Sequence, residues 1–98
     1  PNITDPVFID GLSQPGASCD SWAPTLLIEI DGINVDDSGL NFTNSGGGST
    51  IQGLVINNFS RSGDSGIKFS ASSNNQVYCN FIGTDPTGTQ SHVTNLIE

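Results

Sequence analysis

The stretch Ser49-Thr50-Ile51-Gln52-Gly53-Leu54-Val55-Ile56-Asn57-Asn58-Phe59 decides the fold, because weakened copies of it lie on either side. Ile56 opens Ile-Asn-Asn, Ile9 and Ile30 each open Ile-Asp-Gly, and Ile82 opens Ile-Gly-Thr, at successive intervals of 21, 26 and 26 residues. Two positions earlier stand Val7, Ile28, Leu54 and Asn80, so three of the four copies show apolar-x-apolar just before a turn-forming residue, the pattern of a short strand. A second series, Gly39-Leu40-Asn41-Phe42 and Gly66-Ile67-Lys68-Phe69, repeats at 27 residues. A period in the twenties with strand spacing predicts a β-solenoid in which each copy supplies one coil and the stack buries what no coil can bury alone.

On this reading Val7/Ile28/Leu54 and Ile9/Ile30/Ile56/Ile82 form inward columns, while Phe8, Glu29, Val55 and Phe81 turn outward with mixed polarity. Gly53 lets the chain bend, so that Ile51 and Leu54 both face inward although three apart, and Cys79 occupies the equivalent place. Gln52 is expected on the outward face.

Composition agrees. Leu, Ile, Val and Phe make up 26 of 98 residues, above the level of about 20% below which disorder is the better expectation. Ser, Thr, Asn and Gly reach 43 of 98 and helix formers are scarce, so almost no helix is expected. The length predicts one domain over residues 1–98, with repeats over 3–90 and a tail, 91–98, that serves as a cap or an inter-subunit strand. A net charge of −8, with Arg61 and Lys68 the basic side chains, argues against nucleic acid or an anionic membrane as partner, and no apolar run approaches the roughly 20 residues of a membrane span.

Residues 3–11 read as the first strand, which Pro6 confines to an edge or a bend. Residues 12–24 contain Pro15-Gly16 and a further proline and read as the longest loop; it carries Trp22 and Cys19 and is expected to fold down over the body. Thr25–Gly32, Gly39–Thr43 and Gln76–Gly83 are further strands, separated by turns at Asp36-Asp37, Asn44–Gly48, Ser60–Ser65 and Asp85–Gly88.

These residues resemble the right-handed parallel β-helix repeats of bacterial and archaeal surface and secreted proteins, a superfamily that includes pectate-lyase-like enzymes. The carriers are Ile9-Asp10-Gly11 with Ser13-Gln14-Pro15-Gly16, then Leu27–Gly32, Ile51–Asn57 and Asn80–Thr89. The resemblance implies an all-β, short right-handed parallel β-helix of about four coils with three faces per coil, and says little of activity.

Lyase activity, as the resemblance would imply it, needs a basic residue beside clustered calcium-binding carboxylates; Arg61 in a Ser/Gly corner and Lys68 on an outward strand position read instead as solvated. Asp10 and Asp31 are expected in register, one coil apart, and their placing before Gly suits an ordinary turn whose side chain bonds its own backbone better than catalysis. Asp36 and Asp37 are weighed as a calcium site and read as solvated turn acids. His92 has no zinc-spaced companion and is expected to be exposed. No catalytic residue, metal site or cofactor is therefore assigned.

Cys19 and Cys79, an even pair in an extracellular context, favour one bridge over two buried thiols. Sequons place candidate glycan acceptors at Asn2, Asn41 and Asn58. Trp22 and Tyr78 are weighed as a sugar-stacking platform against the commoner role of aromatics that cover a solenoid. The leading expectation is a non-enzymatic extracellular structural protein, secreted or at the cell surface: a scaffold, filament or adhesin subunit. Its partners are further copies stacking end to end, or the rest of a larger parent chain. The inter-subunit contact is placed at Val7 and Ile9 on one end and Val93, Leu96 and Ile97 on the other. The alternatives are a carbohydrate-binding module of a larger cell-surface protein and a fragment of a polysaccharide lyase or hydrolase.

Overall fold

The computed structural model describes residues 1–91 and 97. Nine short strands run through the described residues: β1 (Asn2–Ile3), β2 (Phe8–Asp10), β3 (Ile28–Asp31), β4 (Leu40–Phe42), β5 (Thr50–Gln52), β6 (Leu54–Asn57), β7 (Ile67–Phe69), β8 (Gln76–Tyr78) and β9 (Phe81–Ile82). They form three parallel sheets, ordered β1-β4-β7, β2-β5-β8 and β3-β6-β9, so each turn of the chain adds one strand to every sheet. This is a short parallel β-helix, all-β apart from two three-residue 3-10 turns at Gly11–Ser13 and Asn44–Gly46. Three rungs are complete. Ile97 forms a parallel bridge to Ile67, opening a fourth rung on the first sheet.

The columns differ from the sequence expectation in one respect. Ile30, Ile56 and Ile82 do stack, but Ile9 stacks with Ile51 and Val77 on another sheet. The two Ile-Asp-Gly copies therefore lie on different faces of one coil, and the interval of 21 between them is no coil at all. Asp10 correspondingly faces Gln52, and Asp31 faces Asn57, so these two carboxylates are not in register. Val7 likewise leaves the column of Ile28 and Leu54, its N–H donating to Ser49 Oγ at 3.0 Å. The cause is the segment between β2 and β3. On the second sheet the first two rungs are 42 residues apart, against 26 for the corresponding step on the third sheet. An insertion within the first coil shortens nothing in space, yet it shifts the sequence period.

Between β5 and β6 the chain turns a corner at Gly53, which has φ +75°; between β8 and β9 it turns the same corner at Cys79, with φ +55°. The Gly53 N–H donates to the Cys79 carbonyl at 3.0 Å, so the equivalence read from sequence holds. A side chain at Gly53 would also meet Leu12, whose N lies 2.6 Å from the place a Cβ would take. The corner brings Ile51 and Leu54 both inward, as expected, and both are buried. With Leu40, Phe42, Ile56, Phe59 and Ile67 they form the core. Phe42 stacks on Phe69 one rung away, ring centres 5.4 Å apart. Phe59 closes a corner where Gly32 leaves it room.

Asn80 breaks the apolar pattern at Leu54's column for a reason visible in its bonds. Its Oδ1 accepts the Leu54 N–H at 2.9 Å, and its Nδ2 donates to the carbonyls of Ile51 and Tyr78, each at 3.0 Å. Backbone polar groups freed by the bend are costly to bury unpaired, and one amide satisfies three of them. Similar pairings tie other rungs together: Ser65 N–H donates to Ser38 Oγ, and the buried Asn57 donates to Glu29 and to the Thr84 carbonyl.

Candidate functional site

Two regions of the molecule leave apolar side chains exposed or only half-buried: the end rungs, and a loop strapped to the flank. At the ends, β1, β2 and β3 on one side, and β8 and β9 on the other, each pair along one edge only among the described residues. Their inward residues Ile3, Ile9, Ile30, Val77 and Ile82 are half-buried, whereas Phe42, Ile51 and Ile56 between them are fully buried. Apolar side chains are also open to solvent near the first rung: Phe8 is 65% exposed and Ile28 37%. Of the residues assigned to an inter-subunit contact, Val7 and Ile9 belong to this first rung and Ile97 lies beside Ile67 of its own chain. Val93 and Leu96, like His92, fall outside the described residues.

The loop between β2 and β3 is held at two points. Ser18 and Thr25 exchange backbone hydrogen bonds of 2.9 and 2.8 Å, closing a short turn over residues 19–24. Cys19 within that turn is bonded to Cys79 at the third-rung corner, with a Cα separation of 6.5 Å. The bridge expected from the sequence is therefore present. It closes 60 residues of chain, for which loop-entropy reasoning gives about 4 kcal/mol of stabilisation. Such a bond is compatible with an oxidising compartment. Among the described residues no helix is long and apolar enough to cross a membrane.

Between this loop and the corner lies a cleft of about 380 Å³, lined by Cys19, Asp20, Ser21, Trp22, Pro24 and the corner residues Cys79–Phe81. Trp22 stands 89% exposed, so it does not cover the solenoid; Tyr78 is exposed on the same corner but outside the lining. The loop lies along the flank at Phe81, whose rung neighbour Val55 is buried between Glu29 and Phe81. That accounts for the mixed polarity of the outward positions: part of the outward face is not solvent.

The same holds for Gln52. Expected on an open face, it is only 7% exposed; its Nε2 donates to Asp10 Oδ1 at 2.8 Å, and its Oε1 has no hydrogen-bond partner among the described residues. Asp10 and Asp31 serve turns, as their Asp-Gly context suggested. Asp10 Oδ1 accepts the Leu12 N–H and Asp31 Oδ1 the Ile33 N–H, both at 3.0 Å. Asp36 pairs with Arg61 at 3.3 Å on an exposed surface, a contact worth about 0 to 1 kcal/mol. Among the described residues, no group of three or more His, Cys, Asp or Glu gathers in metal-binding distance.

Of the sequon asparagines, Asn2 is exposed. Asn41 is engaged on both sides, donating to Asn2 Oδ1 and accepting from Ser70 Oγ, and Asn58 donates to Asp31 from a left-handed turn with φ +63°. The sharpest local charge effect is at Asp85, whose exposed carboxylate is held below its ordinary value of 3.8, first by the Thr87 hydroxyl and then by the N–H groups of Thr89, Gln90 and Thr87. Comparison with known proteins finds no matching family model, no matching curated protein and no matching solved structure.

Proposed function

We propose that the chain is a non-enzymatic extracellular scaffold whose copies stack end to end, the outer edges of β2 and β3 in one copy meeting those of β8 and β9 in the next. The observation that carries this reading is the fall in burial from the middle rung to both end rungs along the same apolar columns. Half-covered isoleucines beside strand edges that pair with no described residue are stabilised by another rung of like geometry, which supplies apolar cover and backbone partners together. A head-to-tail contact of this kind does not close on itself and yields an open polymer. The carboxylates support the non-enzymatic part, since Asp10 and Asp31 are spent on turns and on neighbouring amides. The disulfide supports the extracellular part.

Electron microscopy of the purified protein tests the reading. Rods whose length grows with concentration are expected, and Phe8→Lys, at an exposed first-rung position, should shorten them without altering the monomer's circular dichroism. Dispersed monomers at every concentration would contradict it.

A further inference from the structure

We propose that the cleft between the disulfide-anchored loop and the Cys79–Phe81 corner binds the ring of a neutral, hydroxyl-rich sugar, independently of any stacking. Its first support is the state of Trp22. An indole is the largest apolar surface a side chain can offer, and here it is left 89% exposed. The turn that carries it is nevertheless held in place: the Ser18–Thr25 hydrogen bonds close its base, and the bond from Cys19 to Cys79 fixes it to the body. An uncovered aromatic on a fixed turn at the lip of a cleft offers a ligand apolar cover with little backbone freedom left to be lost on binding.

The second support is the lining. Phe81, Pro24 and the disulfide give the cleft apolar walls, and its volume of about 380 Å³ falls in the range of small-ligand sites, roughly 300 to 1,000 Å³. Asn80 has little hydrogen-bonding capacity to spare: both of its amide N–H donors go to the carbonyls of Ile51 and Tyr78, and its Oδ1 already accepts from Leu54. Polar recognition therefore falls to Asp20 and Ser21, whose side chains make no hydrogen bond to the described residues. An apolar surface beside a carboxylate acceptor and a hydroxyl matches a pyranose, which presents a face of C–H groups and a rim of hydroxyls. The Asp20 carboxylate, on a chain of net charge −8, disfavours uronates and sulfated sugars. A cation would be drawn to the same charge, and the test separates the two.

Trp22 is the sole tryptophan, so intrinsic fluorescence reads the site directly. The disulfide-intact protein is titrated with short oligosaccharides of glucose, mannose, galactose and N-acetylglucosamine, with oligogalacturonate, and with tetramethylammonium, each up to about 10 mM. A saturable blue shift with at least one neutral oligosaccharide is expected, and none with oligogalacturonate. For that sugar, calorimetry should show Trp22→Ala weakening binding about tenfold or more, with the melting temperature unchanged and Tyr78→Ala without effect. Four results would overturn the proposal: no saturable response to any neutral sugar, equal affinity in Trp22→Ala, oligogalacturonate binding as tightly as the neutral sugars, or a response confined to tetramethylammonium.

Discussion

The middle rung and the two end rungs share the same apolar columns, yet they are different environments. Ile56 and Ile51 each have a like residue above and below, and are fully buried; Ile30 and Ile9, with a neighbour on one side, are half-buried. In a solenoid, position along the stack therefore matters as much as residue type. The same isoleucine in the same column contributes more at the centre than at an end, because stability accrues from interfaces between rungs.

The largest effect should come from breaking the centre. Ile56→Ala removes packing from a site that cannot collapse and should cost about 4 kcal/mol, while Ile30→Ala should cost about 2 kcal/mol in dilute solution. Denaturant midpoints for the two variants measure the difference; equal losses would erase the distinction between rungs. Ile56→Asp, which buries a charge in the same place, should leave no folded protein.

A smaller contrast lies along the column Asp10, Gln52 and Tyr78. Gln52→Asp would replace the amide that donates to the half-buried Asp10 with a carboxylate at a buried position, and should cost about 2 to 3 kcal/mol. Tyr78→Asp, on the exposed end rung, should cost under about 1 kcal/mol. Thermal melts of both at neutral pH check this, and a harmless Gln52→Asp would mean that the flank is open after all.

The smallest effect is local to the turn after β9. Because the Asp85 carboxyl titrates below 3.8 in the folded chain, its contribution to the turn is fully present above that value and is lost as the pH falls through the folded one. Carboxyl resonances followed by NMR should place its midpoint below 3.8, and Thr87→Val should move it back up.

The solenoid was legible in the sequence because its signal is local. Alternation of apolar residues, the Gly53 and Cys79 corners and the 26-residue interval are set by backbone geometry that each copy repeats. The insertion hid the first coil. With residues 11–27 inside it, the interval between Ile9 and Ile30 looked like a short repeat and misassigned Ile9, Val7 and Asp10 to columns. Burial on the outward face was equally hidden, since Gln52 and Val55 are covered by residues distant in sequence. The parts of the cleft were legible but not their meeting: Cys19 with Cys79 followed from cysteine count and compartment, while nothing local placed Trp22 and Phe81 in one cleft. Asn80 could have been read sooner. An asparagine in an otherwise apolar column, beside a corner, marks backbone groups in need of a partner.

The account rests on the end rungs being surfaces on which copies meet, and amide hydrogen exchange read at several protein concentrations tests that most directly. Amides of β4, β5 and β6 in the middle rung should be protected at every concentration, whereas those of β2 and β3, and of β8 and β9, should exchange readily when dilute and slow as concentration rises. End-rung exchange that stays the same across the whole range would contradict the account.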